Sequence, residues 1–217
     1  MGWDGRKTAL SKLNTWFEYD KNVCDGQAPL VFNEILDDPK LNYVKVAIGF
    51  IGTKEISGSS SNTVIDTFFD EIGWGQYKDD TPWCAAFANY CLKKGNPEIS
   101  RLDGVNAVSF SYAGYEEVNE PFYGSFMVYA ANGTFYKAGS KGHVAIVIGK
   151  EGDSYAQLGG NQAKPGEDEG LYVNVVLRGR SSKVKYFHPL GVTKYPLGKS
   201  LATPEGVKEE ESVSSTR

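Results

Sequence analysis

The feature that most constrains the fold is a threonine–proline pair followed by a short apolar run that contains a cysteine, TPWCAAF at residues 81–87. Thr81 is a favourable N-cap, and Pro82 suits the first helical position, where its missing N–H costs no hydrogen bond. Apolar residues then recur with helical spacing until Gly95, which suits the C-cap. The pattern predicts a helix whose first turn holds Cys84.

A cysteine in this position has two interpretations. The unpaired amides and the positive dipole end of a helix N-terminus favour a thiolate, which is the nucleophilic form of cysteine. A cysteine on an apolar helix face is, however, most often a small core residue. Asp79 and Asp80 also stand just before the helix and oppose thiolate formation. A catalytic interpretation of Cys84 therefore requires a partner base.

The chain contains two histidines, so the search for a base is short. His143 opens an apolar run of strand length, GHVAIVIG, where an imidazole can be held rigidly and still reach a pocket. His188 precedes a proline and fits the edge of a later strand. If the His143 strand forms a hairpin with residues 155–162, then Asn161 and Gln162 return to the end where His143 begins. A side-chain amide there can orient the imidazole.

Three separated motifs carry this arrangement: DTPWCAAF at residues 80–87, GHVA at 142–145 and LGGNQ at 158–162. In their order and type they resemble the papain-like cell-wall amidases and endopeptidases, in particular the CHAP-like and NlpC-like groups of phage lysins and bacterial peptidoglycan hydrolases. The resemblance covers roughly residues 41–189. One departure is Gly124-Ser125, where such proteins commonly carry Gly-Asp.

The resemblance implies a role for each residue of these motifs. Cys84 would be the nucleophile, His143 the base and Asn161 the polar group that orients the imidazole. Three neighbouring side chains are expected to contact the substrate: Trp83, Asp80 and Gln162. No cofactor or metal is expected, because two histidines without an HExxH pattern argue against a zinc peptidase.

The period of the apolar residues changes along the chain. Helical stripes cover residues 44–51 and 64–72, the second with Asn62 as its N-cap. Strand-like runs follow at residues 125–130, 143–149, 155–158, 171–177 and 184–187. This order predicts a papain-like α+β fold in which N-terminal helices pack on a mostly antiparallel sheet of about five strands.

The sequence suggests three regions. Residues 1–40 form an N-terminal helical extension of unknown role, and residues 41–190 form the papain-like cysteine hydrolase domain. Residues 191–217 form a C-terminal extension that is expected to be largely disordered after residue 203, because its composition is charged and poor in apolar residues.

Charge and apolar content exclude several classes of protein. A net charge of -4 argues against nonspecific nucleic-acid binding. No apolar run is long enough to insert in a membrane, and the first residues lack the apolar segment of a secretory signal. The three cysteines are interpreted as free thiols. We therefore expect synthesis in the cytoplasm and action at the cell wall after release, injection or carriage on a phage or tail-like particle, with both extensions as candidate docking segments.

The resemblance implies peptidoglycan as the substrate, cut either at the N-acetylmuramoyl-L-alanine amide or within the stem peptide. Two other interpretations stay open at this stage. One is a non-catalytic peptidoglycan-binding or structural component of a phage or tail-like particle. The other is a papain-like enzyme that acts on a protein or a small amide. The sequence also identifies only the Cys84 amide as an oxyanion donor, and leaves the second donor unnamed.

Overall fold

The computed structural model describes residues 37–58, 60–99, 105–108, 114–135, 141–163 and 171–197. Within these ranges, helices come first along the chain and an antiparallel sheet follows. The predicted α+β class is therefore confirmed. The helix expected in the N-terminal extension and the disordered tail expected after residue 203 lie outside the described residues.

The helical half contributes, in the described ranges, a 3-10 helix and three α-helices. Their bounds are Pro39–Leu41 for the 3-10 helix, Asn42–Gly49 for α1, Thr63–Glu71 for α2 and Cys84–Gly95 for α3. Helix α2 begins as predicted, because the Asn62 side chain accepts a 2.9 Å hydrogen bond from the Val64 amide. None of the helices in the described part of the chain is long and apolar enough to cross a membrane.

Helix α3 begins later than predicted. Thr81 is not its N-cap, since the Thr81 amide donates to the Lys78 carbonyl in a turn that precedes the helix. Trp83 occupies the N-cap position without a side-chain capping bond, and Cys84 is the first helical residue. The amide of Cys84 is therefore one of the N-terminal N–H groups that have no partner within the helix.

The sheet has six antiparallel strands in the order β1-β6-β2-β3-β4-β5. Their bounds are Tyr115–Val118, Phe126–Ala130, Gly142–Glu151, Ser154–Gln162, Tyr172–Arg178 and Val184–Pro189. All five predicted strands are present. The sequence did not predict β1, a four-residue edge strand. Its Glu116 and Glu117 form ion pairs with Lys194 and Lys185, respectively. Charged residues of this kind are typical of sheet edges and hide the alternation of a strand.

The main hydrophobic core lies between the helices and one face of the sheet. Helix α3 packs against β3 and β4, with Phe87 and Leu92 fully buried in this layer. Val144 and Ile146 of β3 belong to the same core, whereas Ala145 and Val147 belong to a smaller cluster. Because successive residues of a strand face opposite sides, the smaller cluster lies on the other face of the sheet.

Gly160 allows β4 to lie directly against the first turn of α3. A Cβ atom at this position would lie 2.3 Å from Trp83 Cζ3 and 2.9 Å from Phe87 Cβ. Both distances are shorter than van der Waals contact, so no side chain fits there without displacing the helix. The glycine therefore sets how closely the cysteine helix approaches the sheet.

We expect Gly160→Ala to lower the free energy of unfolding by about 1–3 kcal/mol, because overpacking displaces the indole or the helix. The measurement is urea unfolding monitored by circular dichroism. Gly179→Ala is the control, since its nearest neighbour would be Ser154 Oγ at 3.9 Å, and it should change the free energy by less than about 0.5 kcal/mol. Equal effects of the two substitutions would contradict this account of Gly160.

Candidate active site

The thiol of Cys84 lies at the N-terminus of α3 and is 4% exposed. The backbone N–H groups of Val144, Ala85 and Cys84 itself are directed to the sulfur. Burial raises the pKa of the Cys84 thiol, and these three hydrogen bonds oppose the rise without cancelling it. The resting cysteine is therefore a neutral thiol in a site that already holds donors for the thiolate.

The Val144 contact brings the backbone of β3 to the sulfur. His143, which precedes Val144, is 1% exposed, and its Nε2 lies 3.2 Å from Gln162 Oε1. Its Nδ1 makes no hydrogen bond with any described residue. Burial and the positive charge of Arg178 lower the pKa of His143 to about 3, against the opposing effect of the Gln162 hydrogen bond. The imidazole is therefore neutral at physiological pH.

The Gln162 amide defines which nitrogen of His143 carries the proton. The Nε2 of Gln162 donates to three backbone carbonyls, those of Gln157 at 3.1 Å, Gly159 at 3.3 Å and Asn174 at 2.6 Å. Because these three acceptors surround the amide nitrogen of Gln162, its Oε1 must face the imidazole ring of His143. An oxygen that can only accept requires a proton on His143 Nε2, which leaves the Nδ1 lone pair free. This is the tautomer that a general base needs.

Gly159 provides the space for this amide. A Cβ atom there would lie 3.0 Å from Ala145 Cβ and 3.2 Å from Gln162 Cδ. The two glycines of the LGGNQ motif therefore have different steric roles. Gly159 leaves room for the side chain of Gln162, and Gly160 leaves room for the indole of Trp83.

No hydrogen bond joins Asn161 to His143, and the imidazole is instead hydrogen-bonded to the neighbouring residue Gln162. The Asn161 Oδ1 instead accepts from the Trp83 amide at 3.3 Å. Among the described residues, Asn161 is the non-glycine residue with a left-handed backbone, at φ 58°. The β4–β5 register also shifts between Gly159 and Gln162. Strand alternation therefore breaks here, which is why it could not predict which of two adjacent amides faces the imidazole.

Two of the predicted substrate contacts have no exposed surface with which to make them. Trp83 is 0% exposed, packs against Phe68 and Phe87, and donates from its indole N–H to Glu55 at 3.4 Å. It is a core residue, contrary to the prediction. Gln162 is 1% exposed and contacts His143 instead. Asp80 is exposed, and its contact with a substrate stays a prediction.

Asp79 has a structural role that the sequence analysis missed. Its carboxylate is 2% exposed and accepts from the Ile56 amide at 2.9 Å, the Asn62 amide at 2.8 Å and Ser61 Oγ at 3.0 Å. These bonds tie the turn before α3 to the loop before α2. No spacing rule in the sequence indicates a partnership between an aspartate and amides about 20 positions away, so only the fold reveals it.

The second histidine has both ring nitrogens engaged. His188 is 0% exposed, with Nδ1 3.0 Å from Ser125 Oγ and Nε2 3.3 Å from the Val192 carbonyl. Burial lowers its pKa. Ser125, the residue that departs from the Gly-Asp pattern, therefore pairs with this histidine and not with His143.

We expect the buried neutral His143 to make the protein less stable in mild acid. Its pKa is about 3 when folded and near 6.5 when unfolded, so the unfolded chain binds the proton first as the pH falls through 6.5. The difference in free energy of unfolding between the parent and His143→Asn should therefore change by up to about 2 kcal/mol, to the disadvantage of the parent, as the pH falls from 7 to 5. Urea unfolding at both values measures it, with His188→Asn as a separate reference. A free-energy difference that does not change with pH would contradict the low pKa of the buried His143.

Comparison with known families agrees with this geometry. The sequence profile of the CHAP domain matches residues 76–161, a range that includes the start of α3, His143 and Asn161. Comparison with curated proteins and with solved structures gave no significant match. CHAP domains are papain-like peptidoglycan hydrolases that act on amide bonds. The matched range is less than half of the chain, and within it residues 76–161 are similar to a CHAP domain.

Proposed function

We propose that this domain hydrolyses an amide bond of the peptidoglycan stem peptide, with Cys84 as the nucleophile and His143 as the general base. The CHAP match indicates peptidoglycan hydrolysis as the class of activity. The observation that carries the proposed mechanism is the Gln162 amide, which holds His143 in the tautomer with a free Nδ1. That lone pair is the acceptor that a thiol proton requires.

In the first half of the reaction, the Cys84 sulfur attacks the scissile carbonyl carbon while His143 Nδ1 takes the thiol proton. A C–S bond forms, and the carbonyl π electrons move to oxygen. When this tetrahedral intermediate collapses, the C–N bond breaks and Nδ1 returns its proton to the departing amine. The products are a thioester on Cys84 and a free amine.

In the second half, water attacks the thioester carbon and gives a proton to His143 Nδ1. The C–S bond breaks, the carboxylic acid product leaves, and the proton returns to the sulfur. The imidazolium formed in each half is opposed by burial and by Arg178 and favoured by Gln162. The positive charge is therefore short-lived, and the site returns to a neutral thiol and a neutral imidazole.

The identity of the bond that is cut is part of the proposal. It is either the N-acetylmuramoyl-L-alanine amide or a peptide bond within the stem. Access to the wall by release, injection or carriage on a phage or tail-like particle is supported by the resemblance to lysins alone. Docking to such a particle through either extension has the same support.

One observation favours the alternative of a non-catalytic peptidoglycan-binding or structural component. Cys84 and His143 are nearly inaccessible in this structure, and no hydrogen bond joins His143 Nδ1 to the sulfur. A module that had kept the fold without turnover would tolerate both features. Hydrolysis requires that substrate reach the sulfur and that the two groups approach each other.

We expect the purified chain to reduce the turbidity of sacculi and Cys84→Ala to abolish this activity. Cys91→Ala is the matched control, because Cys91 is 0% exposed, and it should leave the specific activity unchanged once its folded fraction is measured. Mass spectrometry of the released fragments assigns the bond. Sacculi that bind the parent chain without losing turbidity would support the binding component, and an active Cys84→Ala would exclude Cys84 as the nucleophile.

We expect Gln162→Met to lower kcat about 10- to 100-fold, because the ring loses the bond that selects its tautomer. Long-range ¹H–¹⁵N NMR of the imidazole is the second measurement. It should show the Nε2–H form in the parent and a mixture of tautomers in the variant. Gln76→Met, at an exposed position, is the control. An unchanged tautomer together with normal activity would exclude the positioning role of Gln162.

A further inference from the structure

We infer that Gln157 and Arg178 form a second binding site on the face of the sheet opposite helix α3. Its ligand is an N-acylated amino acid, such as the C-terminus of a peptide, bound through its carboxylate and the adjacent N–H. The site does not include Cys84, and the inference does not depend on the proposed hydrolysis. It assigns a task to a buried amide that the proposed reaction leaves unused.

The first observation is the state of the Gln157 side chain in β4. It is 0% exposed, and neither its Nε2 nor its Oε1 makes a hydrogen bond with any described residue. Most buried polar side-chain atoms have a partner, because a buried polar group without one has lost its hydration and gained nothing in return. Gln157 therefore presents a donor and an acceptor to a ligand.

The second observation is a buried cation beside this amide. Arg178 of β5 lies opposite Tyr155 of β4, and Gln157 lies opposite Val147 of β3. Because Tyr155 and Val147 both belong to the smaller apolar cluster, Gln157 and Arg178 lie on that same face of the sheet. The two residues are diagonal neighbours across the β4–β5 pair, and long side chains span that separation.

The third observation is a connection between this position and the proposed base. The positive charge of Arg178 acts on His143 and lowers its pKa. His143 is hydrogen-bonded to Gln162, whose Nε2 also donates to the backbone carbonyl of Gln157 at 3.1 Å. Along β4, Gln157 therefore lies between the residue opposite Arg178 and the amide that holds the imidazole.

The chemistry of the two side chains defines the ligand. A guanidinium pairs best with a carboxylate, and a glutamine amide needs one acceptor for its N–H groups and one donor for its oxygen. In an N-acylated amino acid, the N–H and one carboxylate oxygen stand side by side. They match the Oε1 and Nε2 of Gln157, and the second carboxylate oxygen is left for Arg178.

The difference in burial indicates the direction of entry. Arg178 is 8% exposed, whereas Gln157 is 0% exposed, so a ligand meets the guanidinium first and the amide lies deeper. A carboxylate beside Arg178 opposes the positive charge that lowers the pKa of His143. Occupancy then favours the imidazolium of the proposed reaction. This last consequence rests on the proposed function, whereas the site itself does not.

The experiment measures the affinity of the full chain for N-acetylglycine by ¹H–¹⁵N NMR of the side-chain amides. The Gln157 signals are assigned by their loss in Gln157→Leu. Two related compounds test the two contacts: acetoxyacetate has an ester oxygen in place of the N–H, and N-acetylglycinamide has no negative charge. We expect N-acetylglycine to shift the Gln157 signals and to bind about 5- to 10-fold more tightly than acetoxyacetate and at least about 10-fold more tightly than N-acetylglycinamide.

Variants of the two side chains should separate the two contacts. We expect Arg178→Gln to weaken N-acetylglycine binding about 10- to 100-fold, because the guanidinium–carboxylate pair is lost. Gln157→Leu should bind N-acetylglycine and acetoxyacetate equally. Arg180→Gln is the matched control and should bind as the parent does, because Arg180 pairs with Glu120 and donates to the Tyr155 hydroxyl.

Urea unfolding of the unliganded chain is the second measurement. Gln157→Leu should unfold at a urea concentration at least as high as the parent, since an apolar side chain of similar size removes an unpaired buried amide. A lower midpoint would overturn the inference, because it would show that the amide is already satisfied within the chain.

Three binding results would overturn the inference as well: unshifted Gln157 signals, equal affinity for N-acetylglycine and N-acetylglycinamide, or normal affinity in Arg178→Gln. Binding requires no turnover, so its outcome is independent of the turbidity of sacculi. A chain that binds N-acetylglycine as expected but leaves sacculi intact would refute the proposed function and leave the second site standing.

Discussion

The hydrogen bonds of one buried amide determine most of the chemistry of this site. Gln162 faces three backbone carbonyls with its nitrogen and one imidazole with its oxygen. A glutamate at this position would direct a carboxylate oxygen at the same carbonyls, with no proton to share, at a cost of several kcal/mol in a buried site, roughly. The carbonyls of β4 and β5 therefore select an amide over an acid.

Burial has a second effect on the same pair of groups. Both Cys84 and His143 are shielded from water, so burial disfavours the thiolate and the imidazolium alike. The neutral pair is the resting state. In the proposed reaction, charge appears only while a substrate carbonyl is under attack, at the sulfur that three backbone amides already face.

Local patterns predicted much of this arrangement from the sequence. Asn62 and the apolar stripe after it predicted helix α2, and the apolar run after His143 predicted β3. Both predictions succeeded because these patterns depend on interactions between residues close in the sequence. The hairpin between β3 and β4 brought LGGNQ back to the histidine, as expected. These features follow from periodicity and capping, which a single sequence displays.

The errors came from contacts that depend on the tertiary fold. The choice between Asn161 and Gln162 depends on a backbone that leaves the strand conformation at one residue, and the burial of Trp83 depends on a missing side chain at Gly160. Thr81 has the composition of a cap but lies in a turn, and the tie between Asp79 and the loop before α2 spans distant positions. Local propensity contains no information about such distant partners.

The proposed nucleophile and the proposed base are 59 positions apart in the chain and belong to different halves of the fold. Contacts of Trp83 and Cys84 with β3 and β4 join the two halves at the start of α3. In a chain whose helical half has not docked, Cys84 lacks the Val144 amide. If Cys84 and His143 react as proposed, the docking of the two halves creates the site, and a chain whose halves are still separate has no assembled site.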